Sequence, residues 1–99
     1  MGAPRPKPER LAEKLLQIRT ALGVSQTELH RRLGVEHLIE YHIISRYERG
    51  EREPPLMILL EYARLANVYV EVLIDDELDL PDKLPSPKKS EGVRRRKRR

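Results

Sequence analysis
Ser45, Arg46, Arg49 and Arg52 fall within eight residues near the middle of a 99-residue chain. A guanidinium is a planar fork of N–H donors that matches the O6 and N7 edge of guanine and also fits a phosphate. A serine hydroxyl reaches either. These groups suit contact with a nucleic acid rather than bond-making. The chain has no cysteine, and none of Ser25, Ser45, Ser86 and Ser90 stands in sequence beside a histidine able to act as its base. His30, His37 and His42 share no tight ligand spacing, and a zinc site needs four ligands at fixed separations. There is no glycine-rich phosphate loop. No metal, cofactor or enzymatic activity is expected.

The residues that must position these side chains run from Val24 to Pro55. Ser25 is a good helix N-cap, and Glu28 three residues later completes a capping box. Leu29 and Leu33 repeat at i, i+4, and Gly34 suits the left-handed stop. A second short amphipathic helix follows, with Ile44 and Tyr47 inward and Ser45, Arg46 and Arg49 outward. Gly50 ends it, and Pro54-Pro55 follow. Two short helices around a glycine-marked connection are the parts of a helix-turn-helix, whose second helix enters the DNA major groove.

The run resembles the helix-turn-helix family of the Xre, Cro and phage-repressor type. The shared pieces are Ile18-Arg19 with Leu22-Gly23, Ser25-Gln26 with Glu28-Leu29, Leu33-Gly34, Ile44 to Gly50, Arg52, Pro54, Leu59-Leu60 and Ala63, spanning Leu11 to Ile74. The resemblance implies an all-α, five-helix, lambda-repressor-like DNA-binding domain. It also implies that Tyr41, His42, Ser45 and Arg46 contact bases, and that Gln26, with Thr27 beside it, contacts phosphate. Arg49 and Arg52, flanking Gly50, suit the DNA backbone. Glu48 is expected to be structural, paired with an arginine or a helix end. One departure is spacing: the resemblance implies about four residues between the Leu-Gly-Val end of the first helix and the Ile-Ser-Arg core of the second, whereas eight separate Val35 from Ile44 here. The extra residues either lengthen the turn or add about one turn (~3.6 residues) to the front of the reading helix, as the i, i+4, i+8 spacing of Ile39, Ile43 and Tyr47 permits. A longer turn, with the reading helix over about 40–49, is the favoured expectation.

The remaining elements follow from periodicity and caps. Leu11, Leu15, Ile18 and Leu22 give one apolar stripe, predicting a first helix from Glu9 to Leu22 that stops at Gly23. A fourth helix should start after Pro54-Pro55 and end near Asn67. Val70 to Ile74 reads as a short fifth helix, or as part of a strand over Asn67 to Leu73, where Val68, Val70 and Val72 alternate with Tyr69 and Glu71. Residues 1–8, with Pro4, Pro6 and Pro8, are expected to form a flexible arm, residues 9–80 the domain, and residues 81–99 a disordered basic tail.

Charge is unevenly spread. The formal total is +4, but residues 82–99 hold nine basic and two acidic side chains, residues 1–10 hold three and one, and residues 11–81 are left at −5. Such a core is no general phosphate binder, so affinity for DNA must come from Arg46, Arg49, Arg52, Arg31 and Arg32 locally and from the basic ends. Arg31 and Arg32 read better as a solvated helix face. No apolar run approaches the ~20 residues of a membrane span, and a cytoplasmic protein is expected.

These features point to a sequence-specific regulator of transcription, a repressor that binds double-stranded DNA as a homodimer. An antitoxin that binds a partner protein and autoregulates its operon is the alternative, with the acidic cluster at Asp75, Asp76, Glu77 and Asp79 and the proline-interrupted tail available to wrap a partner. A nucleic-acid tether dominated by the basic tail is a third reading.

Overall fold
A computed structural model describes residues 6–85, in which five helices are connected by short links. They are α1 (Leu11–Leu22), α2 (Gln26–Leu33), α3 (His42–Glu48), α4 (Leu56–Ala66) and α5 (Val70–Ile74). The possible strand over 67–73 is not formed; α5 occupies its centre. The basic run at 94–99 and residues 1–5 of the arm lie outside the described residues. Among the described residues, no helix is long and apolar enough to cross a membrane.

The stops fall where the sequence places them. Gly23, Gly34 and Asn67 adopt left-handed conformations directly after α1, α2 and α4, with Asn67 at φ 62°. A short polar residue tolerates that region better than a branched one. At the start of α2, Ser25 Oγ accepts from the Glu28 amide at 3.0 Å. The capping box is otherwise not closed: the Glu28 carboxylate pairs with Arg32 at 2.9 Å and with Arg31. Arg31 and Arg32 therefore occupy a solvated, ion-paired face.

Burial follows the apolar stripes. Leu15 and Ile18 of α1, Leu29 of α2, Ile44 of α3 and Leu73 of α5 are fully inaccessible, and Tyr47 and Tyr62 fill the space that Phe and Trp occupy in other cores. α3 packs on α1 and α2, and α5 packs on α4 and α1. Leu80 is buried and Leu84 packs on the core, so the chain still follows the domain surface there.

Two expected boundaries shift. α1 starts at Leu11 rather than Glu9: Arg10, at φ −104° and ψ 7°, is not helical, and the backbone N–H groups of Glu9 and Arg10 donate to the Asp76 carboxylate at 2.9 and 3.1 Å. α3 starts at His42 rather than near Glu40. The Ile43 and Ile44 amides first bond back to Glu40 O and Tyr41 O in tight three-residue turns.

Part of the acidic cluster is tied to the start of the domain. Asp76 accepts from the two amides that lead into α1. Asp79 accepts from Arg10 at 2.7 Å, and Arg10 also donates to Asp76 O at 2.8 Å. Asp75 Oδ1 accepts from the Glu77 amide. Asp75, Glu77 and Asp79 nonetheless stay exposed, so the cluster keeps an acidic surface. The two backbone donors, Glu9 first and then Arg10, hold the Asp76 carboxyl below its ordinary range. A depressed carboxyl pKa contributes stability above the unfolded value, about 4, and that contribution disappears as pH falls through the folded value. Asp76→Asn is therefore expected to lower the urea midpoint at pH 7. The gap to wild type should narrow on acidification below about pH 4. A gap that is constant from pH 7 into the acid range would show that the carboxylate carries no charge-dependent stability.

Candidate nucleic-acid interface
α3 has an inner and an outer side. Ile44 and Tyr47 are buried, while Arg46 and Arg49 are exposed and Ser45 is half-buried. Among the described residues, the Arg46 guanidinium engages in no hydrogen bond or ion pair, so its whole donor fork faces solvent. Tyr41 and His42 are also exposed at the head of α3, their rings edge to face with centroids 5.9 Å apart. His42 Nδ1 lies 3.6 Å from Glu40 Oε1. The four expected base-contacting residues thus run along one short helix, away from its buried Ile44 and Tyr47.

The expected phosphate contacts are less uniform. Arg52 and Thr27 are exposed. Arg49 is held as a bidentate pair by Glu51, at 2.9 and 3.0 Å, and also donates to Ser45 Oγ. A phosphate would have to compete with the Glu51 carboxylate for it. Gln26, at the first position of α2, is half-buried, and its Nε2 donates to Glu48 Oε1 at 3.0 Å. One amide hydrogen is used there, which fixes the side chain and leaves the other hydrogen for a ligand.

Glu48 is the centre of this arrangement. Its side chain is 5% exposed and receives Arg19 Nε at 2.7 Å and Nη2 at 3.1 Å, besides Gln26. Arg19 donates a further bond to Val24 O at 3.1 Å. Donating to Glu48 raises the arginine's pKa further. One carboxylate therefore joins α1, the start of α2 and the end of α3. Among the described residues the buried Tyr62 hydroxyl has no hydrogen-bond partner, and burial, followed by the Glu48 charge, pushes its pKa up. The expectation that Glu48 is structural agrees with this placement.

Two functional-looking residues have roles that sequence reasoning did not assign. His30 is buried, and its Nε2 lies 2.6 Å from Ile39 O, fastening the link between α2 and α3. Lys14 is wholly inaccessible, donating from Nζ to Val72 O at 2.8 Å and Asp75 O at 2.9 Å. Its signal was its register: Lys14 lies on the same helical face as Leu11, Leu15 and Ile18.

The sequence profile of the helix-turn-helix family matches residues 15–73. No curated protein and no solved structure matches the chain.

Proposed function
The chain belongs to the Xre/lambda-repressor-type helix-turn-helix family, a DNA-binding regulatory family, and on that premise we propose that it is a sequence-specific transcriptional repressor acting as a homodimer. The observation that carries this reading is the unengaged Arg46 fork, displayed beside Ser45 on the outer side of α3, while the inner side is locked to α1 and α2 through Glu48. Rigid placement of a bidentate donor is what base discrimination requires. Tyr41 and His42 extend the reading surface toward the head of the helix, and Gln26, Thr27, Arg49 and Arg52 would set its register on phosphates.

A core with an excess of acidic residues favours a mode in which a few basic groups near α3 do the positioning and the basic tail adds sequence-independent attraction. A dimer would place two copies of α3 about one DNA turn (~34 Å) apart. The face around α5, where Tyr69 is 76% and Ile74 43% exposed, is the proposed contact between copies. Repression would follow from occluding polymerase. Asp76 and Asp79 also bond to the segment that enters α1, so the structure gives the cluster a role within the domain that the antitoxin alternative does not require.

Selection of bound duplexes from random DNA by the full chain tests the reading. A palindromic consensus is expected, and recovery of no consensus at physiological salt would overturn it. Arg46→Ala should lose about 1–3 kcal/mol of discrimination at one position of each half-site, with affinity for random DNA little changed. An equal loss on all sequences would make Arg46 a phosphate contact instead.

A further inference from the structure
The link between α2 and α3 is longer than a helix-turn-helix needs, and its extra residues are fastened rather than loose. Val35 O accepts from the Leu38 and Ile39 amides at 2.9 and 3.1 Å, making one helical turn. Val35 is buried, Ile39 packs against the core, and Ile39 O is held at His30 Nε2. Two large side chains are left outside this anchored frame: Leu38 and Tyr41, each 56% exposed. Tyr41 directly precedes α3, so a duplex seated on that helix meets it. Glu36 and Glu40 are exposed on the same segment. Phosphates would repel both carboxylates, so the segment is unsuited to lie along the DNA backbone. An apolar contact of Leu38 and Tyr41 with base edges carries no such charge penalty.

We propose that this ledge is a second reading element, in which Leu38 and Tyr41 contact the C5-methyl groups of thymines flanking the bases met by Ser45 and Arg46. The proposal rests on the DNA-binding reading above. The thymine methyl is the apolar group that base edges present in the major groove. A pinned ledge also loses little conformational freedom when it is covered, so more of the contact energy appears as affinity.

The duplex recovered by selection, resynthesised with uracil for thymine one position at a time, is the probe. Uracil keeps every hydrogen-bonding group and removes only the methyl. The full wild-type chain is expected to bind about fourfold more weakly at one or two substituted positions next to the Arg46 contact. Leu38→Ala should bind the thymine duplex about as weakly and lose sensitivity at one of those positions, with its melting temperature unchanged because Leu38 lies outside the core. Equal binding of the thymine and uracil duplexes by the wild-type chain overturns the ledge proposal even if Leu38→Ala fails to fold. In that case a consensus that Arg46→Ala relaxes leaves the repressor reading standing. Recovery of no consensus at all overturns both.

Discussion
Glu48→Ala is expected to destabilise the domain by about 3–5 kcal/mol, the usual result of removing one partner from a buried ion pair. At about 4–8 °C per kcal/mol for a domain of this size, the melting temperature falls by tens of degrees. The cause is local. Glu48 is nearly inaccessible and receives three donated bonds, two from Arg19 and one from Gln26. Its removal leaves a largely buried guanidinium with only Val24 O, and it releases Gln26 from α3. Arg19→Met should cost a similar amount, because it leaves the carboxylate unpaired. The Arg19→Met, Glu48→Met double variant should be more stable than the sum of the single losses predicts, with a coupling of about 1–3 kcal/mol. A Glu48→Ala loss of about 1 kcal/mol or less, the range of exposed ion pairs, would show that water replaces the carboxylate cheaply. The joint that aligns α2 with α3 would then lie elsewhere.

The same residue shows what sequence can and cannot convey. That Glu48 would pair within the fold was expected from the resemblance, and the inward register of Ile44 and Tyr47 and the glycine stops after α1 and α2 were plain from spacing. These are local signals, carried by residues three or four apart or by the special backbone freedom of glycine. The segment entering α1 was not legible in this way, because its amides donate to Asp76, 67 and 66 residues further on. The start of α3 was also missed. Ile39, Ile43 and Tyr47 keep helical spacing through the link, but the hydrogen bonds of Val35 and the tie from His30 break it into a separate turn. Periodicity permits a helix; contacts between distant parts of the chain decide where it begins. The outward residues of α3 were legible because their inward neighbours were. Which of them are hydrogen-bonded was not: Arg46 and Arg49 look alike in sequence, yet Glu51 accepts from Arg49 and only feels the charge of Arg46.

Lys14→Met is expected to destabilise the protein by about 2–3 kcal/mol, and Lys14→Ala by more. Met conserves most of the volume but leaves Val72 O and Asp75 O without their donor, and a buried acceptor so orphaned costs about 1–3 kcal/mol. Ala adds a cavity beside Leu15 and Ile18. The two carbonyls lie at the C-terminal end of α5, where a helix favours a cation. α5 has five residues, too few to persist without packing and caps. The loss should therefore be uneven. Amide exchange in α5 and at Asp75, whose N–H bonds to Glu71 O at 2.9 Å, should accelerate more than exchange in α2, which does not touch Lys14. If α5 forms the contact between copies, Lys14→Met also weakens the dimer, and sedimentation should detect this at concentrations where wild type stays paired. Wild-type stability in Lys14→Met, with α5 amides as protected as before, would mean that the buried ammonium gains from its two carbonyls no more than its dehydration costs. Packing of Leu73 alone would then have to hold α5 in place.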